Sequence, residues 1–403
     1  MEIGPIFRSM ARNKIGVSLL LVEVGVTLAI VLNCAGMVFT QAKRLQRETG
    51  LDEGNIMIIQ QRPFGAAYEE VSSRMQIINR DLSVIRAQPG VVSASVIEPL
   101  PLQGGGSSSI TRPLGKTAKE GVRTPIYLSD IHFIETLGLE LVAGRNFVPE
   151  DIPTDSGPAP INIIVTQDLA DALFPNGNAL GQPLNTGSEE YPDTIVGIVK
   201  HMFTPYGGSE METRIVFFPT GNGDSGYITY LVRAEPKSYN ALFTSLPDLI
   251  LNQQPDRVVQ TRTMHEIKIG GLLMERMMVK ILLAVIVLLL FITGIGLAGM
   301  TAFAVARRTK QIGIRRALGA QKIDILRYFL LENAMVLGAG MVLGLAGGLL
   351  LNRLLVTAAD VEPLPVSIIT GCIATLVTSG LVATLLPALR STRIEPAIAT
   401  RTV

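Results

Sequence analysis

Four long apolar blocks set the pattern of this chain, and very unequal polar stretches separate them. The blocks run from Ile15 to Thr40, Ile281 to Ala306, Asn333 to Leu351 and Ser367 to Leu389. A helix needs about 20 residues to cross the hydrocarbon of a bilayer. Each block is near or above that length, so the pattern predicts four transmembrane helices. The long stretch between the first two blocks changes period and reads as a folded domain outside the membrane.

Within that stretch, Asn55 to Gln60 is a short apolar run that predicts a strand. Ala67 to Ala87 carries Val71, Met75, Ile78, Leu82 and Ile85 at helical spacing, and Pro89-Gly90 ends it. Val91 to Ile97 alternates as a half-buried strand does. A second strand–helix–strand unit follows far downstream: Tyr227–Arg233, then Tyr239–Asn252 with Leu242, Leu246 and Ile250 on one stripe, then Arg257–Thr261. Two such units predict the split β-α-β-β-α-β arrangement of ferredoxin-like domains. The region between them reads as an insertion. It opens on the flexible run Gly104-Gly105-Gly106-Ser107-Ser108-Ser109. It also holds expected strands at Ile161–Val165 and Thr194–Val199, and a short helix capped by Thr166 and ending at Leu173. The predicted fold class is therefore an α-helical membrane protein with four transmembrane helices and a large α+β outer domain, one lobe inserted in another.

Charge fixes the expected orientation. Arg8, Arg12 and Lys14 precede the first block, and Arg307, Arg308, Lys310, Arg315, Arg316, Lys322 and Arg327 follow the second. Arg390, Arg393 and Arg401 follow the fourth, while the turn between the third and fourth holds Asp360 and Glu362. The positive-inside rule then puts both termini and the 307–327 segment in the cytoplasm. A net charge of +1, 48% hydrophobic residues and a mean hydropathy of +0.38 argue against a nucleic-acid binder. The first block is too long for a cleaved signal peptide and reads as an anchor. Cys34 and Cys372 both fall in apolar blocks, so no disulfide is expected in the outer domain. Residues Ile3 to Met10, with Arg8, Arg12 and Lys14 nearby, read as an interfacial helix on membrane lipid.

Motifs that could carry chemistry resolve into packing. Gly294, Gly296 and Gly299 fit a dinucleotide fingerprint, yet they sit inside an apolar block where small residues let helices approach. Gly115-Lys116-Thr117 ends like a P-loop, but Ile110 stands where the first glycine belongs. His132, His201 and His265 lack metal-ligand spacing. Gly340, Gly344 and Gly348 form two successive G-x-x-x-G steps and predict a helix-packing seam, its partner left open. Glu23 is an ionisable group inside the first block, and Glu332 is expected at the interface beside Arg327. No catalytic constellation or metal site is expected.

The segment Arg307–Ala320 interleaves its charges with Ile312, Ile314, Ala317 and Leu318, as a short helix docking on a partner would. Continued through Gln321–Leu326, it resembles the signature of FtsX-like permeases of the MacB type. Phe133–Leu139 followed by Ala143-Gly144-Arg145-Asn146-Phe147 is similar to that family's outer domain. So are Leu173-Phe174-Pro175, Leu180–Leu184 and Ile195–Val199, and Pro387–Arg390 through Glu395-Pro396-Ala397 fits its tail. The resemblance implies a permease subunit, not an enzyme, of an ATP-driven ABC export system. Such a system works by mechanotransmission on a periplasmic or outer-leaflet amphiphile such as a peptide or macrolide. Lipoprotein release and signalling to a cell-wall hydrolase are the alternatives.

It further implies Ile312, Gly313, Ile314, Arg315, Arg316, Ala317, Leu318, Gly319, Ala320 and Ile323 as the ATPase-coupling residues. Expected partners are a pair of separate ABC ATPase chains carrying ATP and Mg, and a second permease copy or a related permease. A periplasmic adaptor and an outer-membrane duct are further candidates, and this chain itself needs no cofactor. The expected layout in the bacterial inner membrane is a cytoplasmic N-terminus over 1–14 and spans over 15–40, 279–306, 328–356 and 366–389. A periplasmic domain covers 41–276, with a porter-like lobe at 50–102 and 225–265 and the inserted lobe at 103–224. The coupling segment covers 307–327, the periplasmic turn 357–365 and the cytoplasmic tail 390–403.

Overall fold

A computed structural model of the chain describes residues 14–153, 159–205, 211–219, 226–359 and 363–391. The expected interfacial helix at the N-terminus, the acidic pair Asp360 and Glu362, and most of the tail lie outside those residues. The chain divides into two compact units. One comprises Met1–Gln46 with Glu275–Val403, the other Arg47–Met274.

The first unit is helical. Its elements are α1 (Lys14–Leu45), α7 (Leu273–Arg307, whose first two residues belong to the other unit), α8 (Thr309–Ala317), α9 (Lys322–Ala359) and α10 (Val366–Ser391). Four of these are long and apolar enough to cross a membrane: α1, α7, α9 and α10. Their shared core is built on Leu20, Val24, Leu28, Leu32, Leu297, Leu337 and Leu376. Apolar side chains on the outer faces, such as Val287, Phe291, Val342 and Leu386, stay exposed, as a lipid-facing surface requires.

The second unit holds eleven strands among the described residues, with five helices. The N-terminal elements are β1 (Ile56–Pro63), α2 (Val71–Arg86), β2 (Val91–Glu98), β3 (Ser108–Pro113), β4 (Val122–Ser129), α3 (Phe133–Leu137) and β5 (Leu141–Gly144). Then come β6 (Asn162–Thr166), α4 (Gln167–Leu173), β7 (Pro183–Asn185), β8 (Asp193–Val199) and β9 (Val216–Phe218). β10 (Ile228–Ala234), α5 (Tyr239–Gln253), β11 (Arg257–Thr263) and α6 (Met264–Gly271) complete it. The sheet runs β11-β1-β10-β2-β4-β3-β7-β8-β6-β9, with β5 on β8. The first four strands are antiparallel throughout. One face of them packs α2 and α5 through Met57, Ile59, Ile78, Leu82, Ile85, Tyr230, Val232, Leu246 and Ile250. Of the helical stripes read from the sequence, Ile78, Leu82, Ile85, Leu242, Leu246 and Ile250 point into this core and Met75 packs at its margin, while Val71 is exposed.

Two strand pairs, Ile97 with Ser129 and Glu98 with Leu128, join the first four strands to the remainder. The inserted region is thus hydrogen-bonded into one continuous sheet. Within it β9 also pairs with β4, so the strand pairings β4-β3-β7-β8-β6-β9 close into a ring around Ile163, Val165, Leu169, Leu184, Ile195 and Val216. Closure removes the exposed edges that an open sheet would present.

Three local expectations change. The helix expected from Ala67 begins at Val71, after a separate 3-10 turn over Ala66–Tyr68. Thr166 stands at the start of α4, but its hydroxyl donates to the Thr213 carbonyl and accepts from the Ile215 amide instead of capping the helix. The run expected to be flexible is shorter than read: Gly104, Gly105 and Gly106 take positive φ, but Ser108 and Ser109 enter β3. The sequence also hides a device at the sheet's exit. Thr263 and Glu266 form a reciprocal capping box, each backbone N–H donating to the other's side chain at 3.1 Å, which turns β11 into α6. At the far end of α6, the Leu102 carbonyl takes the place a side chain on Gly271 would need. Leu102 itself is buried with a φ of +64°, a conformation that costs a leucine energy.

Candidate functional site: the segment between the second and third spans

The segment from 308 to 325 is a tightly built corner. α7 breaks at Arg308, whose amide donates to the Val305 carbonyl, and α8 starts at once. α8 ends in a Schellman arrangement. Gly319 takes a φ of +99°, and the Ala320 amide donates to the Arg315 carbonyl at 3.0 Å. A residue with a Cβ is strained there, which explains the glycine after the helix. α9 then begins as the Gln321 amide donates to the Asp324 carboxylate at 3.0 Å.

The apolar residues of this corner divide by face. Ile312 is buried with Ile325, Phe329 and Ala388, which pins α8 against the foot of α9 and the end of α10. Gly313 is buried beside it. On the opposite side Ile314, Leu318 and Ile323 are exposed, Leu318 at 83%. Ala317 and Gly319 are exposed as well, Ala320 is half-buried, and Arg316 lies on the helix. Arg315 is exposed, yet its guanidinium also lies over the Tyr328 ring, 5.5 Å from the centroid. The ten sequence-selected residues therefore share one corner but not one face.

Sequence reasoning missed the polar group beneath. Glu332 pairs with Arg308, at 2.8 and 3.1 Å through two guanidinium nitrogens, and not with Arg327 as expected. Arg308 also donates to the Tyr328 hydroxyl at 3.3 Å and lies over the same ring. The two partners are 24 residues apart. The neighbour chosen from the sequence was simply the cation nearest along the chain.

The glycine seam finds its partner within the chain. A Cβ on Gly340 would lie 2.7 Å from Val24, one on Gly344 2.6 Å from the Gly25 carbonyl oxygen, and one on Gly348 3.0 Å from Leu32. α9 thus lies against α1 through Gly340, Gly344 and Gly348. Asn33 stitches the same contact by donating to the carbonyls of Ala29 and Gly348. In the second span Gly296 lies against the Glu23 carboxylate and Gly294 against Ala383. One turn from Glu23, the Thr27 and Thr293 hydroxyls share a hydrogen bond of 2.8 Å. The packing reading of the G-x-G-x-x-G run holds for these two glycines, while Gly299 has open space beside it.

The remaining motifs carry no reactive group. Gly115-Lys116-Thr117 is a turn in which Lys116 pairs with Glu120 and Thr117 forms a capping box with it. Among the described residues no group of His, Cys, Asp and Glu could hold a metal ion. A polar cavity of ≈ 580 Å³ in the outer unit is lined by Arg47, Glu48, Glu140, Lys200 and His201. Arg47 and Lys200 already pair with Glu212 and Glu140, and the His201 ring lies 3.5 Å from Asp168.

Comparison with known proteins places these features. Residues 19–248, more than half of the chain, match the MacB-like periplasmic core domain, and residues 283–396 match the FtsX-like permease C-terminal family. The chain belongs to the MacB/FtsX-like family of ABC permeases. A macrolide export ATP-binding/permease protein MacB of Neisseria meningitidis serogroup A is 24% identical over 374 residues, covering 89% of this chain and 54% of that protein. The MacB of Azoarcus sp. is 29% identical over 245 residues, covering 59% of this chain and 37% of its own. This chain spans about half the length of the first of these relatives. The solved periplasmic region of MacB from Actinobacillus actinomycetemcomitans aligns at 16% identity and a TM-score of 0.36, over 56% of this chain and 96% of that one. Within this family the corner built on α8 stands between two spans of the FtsX-like half, and the β-rich unit is its MacB-like periplasmic core. The chain is accordingly a permease of this family with four helices long and apolar enough to cross a membrane.

Proposed function

We propose that this chain is the permease subunit of an ATP-driven export system that works by mechanotransmission on a periplasmic or outer-leaflet amphiphile. The observation that carries the reading is the corner at 308–325. It leaves Ile314 on α8, Leu318 just after it and Ile323 at the start of α9 open to solvent, next to basic residues, while Ile312 pins α8 at its other face. A group of exposed apolar side chains bordered by charged ones marks an interaction site, whereas a single exposed leucine would not. The partner that fits is an ABC ATPase chain, which would hold ATP and Mg, with two permeases serving two ATPases. The surplus of Lys and Arg around α8 supports a cytoplasmic position for it and for both termini. The outer unit then lies in the periplasm, and the strand order β11-β1-β10-β2 supports a ferredoxin-like porter lobe with the second lobe inserted.

The outer unit enters from α1 and leaves into α7. Movement of those two spans would therefore be carried into the substrate-binding lobes without a pore through the membrane.

The test is affinity capture of the tagged chain from native membranes, comparing wild type with Leu318→Asp. An ABC ATPase is expected with the wild type, and its loss with Leu318→Asp at unchanged membrane level. A periplasmic adaptor and outer-membrane duct in the wild-type eluate would identify an exporter. A lipoprotein carrier or a cell-wall hydrolase in their place would redirect the assignment. Capture of no ATPase by the wild type would overturn it.

A further inference from the structure

The docking corner separates into side chains that face out and side chains that hold it in place. Beneath α8 lie Arg308, Tyr328 and Glu332, contributed by the break between α7 and α8 and by the first turns of α9. The Arg308–Glu332 pair is bidentate and mostly shielded, with side-chain exposures of 21% and 15%. Forked pairs of this kind fix angle as well as distance, because two parallel N–H···O bonds leave the guanidinium little freedom to rotate. Tyr328 adds a second constraint. Its ring carries the guanidinium of Arg308 on one approach and that of Arg315 on another, at 5.8 and 5.5 Å. Phe329 meets the same ring edge-on and is itself buried under Ile312. Arg315, which sequence reasoning assigned to the partner surface, is thereby tied to α9.

We propose that Arg308, Tyr328 and Glu332 form a clamp that sets the angle of α8 on the third span, with Arg308 and Glu332 as positioning residues for coupling. The proposal rests on the docking role given to α8 above. Apolar packing through Ile312, Ile325 and Phe329 alone would hold α8 close but let it slide and roll, since such contacts are non-directional. The clamp supplies the direction. Force applied to Leu318 then reaches α7 and α9 together, because Arg308 closes α7 and Glu332 belongs to α9. Arg315 contributes by stacking on the ring instead of by meeting the partner.

The test uses the full chain in lipid nanodiscs, with whatever ATPase it captures, and two variants. Deuterium uptake of peptides spanning 309–320, measured on the chain alone with the ATPase stripped away, reads the clamp directly. Glu332→Gln keeps the shape but removes the charge, and uptake is expected to quicken roughly tenfold. Leu318→Asp, on the opposite face, is expected to leave uptake unchanged. Hydrolysis by the captured ATPase reads coupling. Glu332→Gln should retain the ATPase but lose its coupling to substrate movement, whereas Leu318→Asp should lose the ATPase itself. Glu332→Asp, with one methylene fewer, should fall between wild type and Glu332→Gln in both readouts. Unchanged uptake in Glu332→Gln would overturn the clamp. Quickened uptake with full coupling would overturn its role as a positioning device. Absence of any captured ATPase would sink the docking role while leaving the uptake result to decide the clamp.

Discussion

Asp81 on α2 and Arg257 at the start of β11 form a fully buried ion pair, 176 residues apart, in the core of the outer unit. Nothing about the pair is left unsatisfied on the carboxylate side. Asp81 also accepts from the Tyr230 hydroxyl at 2.9 Å, while Arg257 donates to Gln61 and to the carbonyls of Ile250 and Gln254. The pair therefore ties α2, β1, β10, α5 and β11 together around a single point.

Breaking one half of this pair leaves a buried charge without its partner. Asp81→Asn is expected to destabilise the outer unit by about 3–5 kcal/mol, and Arg257→Met by a similar amount. The double replacement D81L/R257M should recover only part of that loss, because it removes the unpaired charge but leaves the Tyr230 hydroxyl, Gln61 and the Ile250 carbonyl without these partners. Thermal unfolding of the full chain in detergent, followed by near-UV circular dichroism, checks this. A double variant as unstable as either single would show that the network does more than compensate its own burial.

Gly344 is expected to tolerate no larger residue. Its Cα faces the Gly25 backbone, so Gly344→Leu must push α9 from α1, at about 1–3 kcal/mol or more. Gly299→Leu, with nothing within 4 Å of its Cβ position, should be neutral. Cysteines introduced at Ala29 and Gly347, whose helices face each other, should cross-link in wild type and Gly299→Leu but not in Gly344→Leu.

Gly271→Ala should perturb the exit from the outer unit. Its methyl would fall 1.8 Å from the Leu102 carbonyl, too close for any adjustment of a side chain to relieve. The segment around Leu102 must move away, and protease sensitivity near Gln103 is expected to rise. Gly270→Ala, where nothing lies within 4 Å, is the matched control and should leave cleavage unchanged.

Asp151 gives the outer unit an acid limit. Its hydrogen bond with Arg145, helped by the Asn162 amide and the Val148 N–H, lowers its pKa to about 2. A depressed carboxylate contributes stability that is complete above its unfolded value of about 3.9 and is lost as pH falls toward 2. Solvent around the half-exposed Arg145 limits the contribution to about 1 kcal/mol. Arg145→Ala should flatten stability between pH 4 and 2, and acid titrations followed by tryptophan-free fluorescence of the eight tyrosines would show it.

The residues that were legible from the chain are those whose role is set by local period or composition. The stripe of Ile78, Leu82 and Ile85 had to face a core because an α-helix repeats every 3.6 residues. The four apolar blocks had to be helices in lipid because no other open backbone can satisfy itself there. The glycines at 340, 344 and 348 marked a close approach, since four-residue spacing puts them on one face. What the seam met could not be read, because Val24 and Gly25 lie more than three hundred positions away and nothing local links them. For the same reason Glu332 was matched with Arg327, although the fold brings it Arg308. Local sequence decided which helices, strands and spans this protein has and which faces must be covered. The tertiary structure decided the pairings: Asp81 with Arg257, Arg308 with Glu332, β9 with β4. Each depends on chain segments far apart in sequence meeting in space, and a charge or a strand edge does not carry the identity of its distant partner.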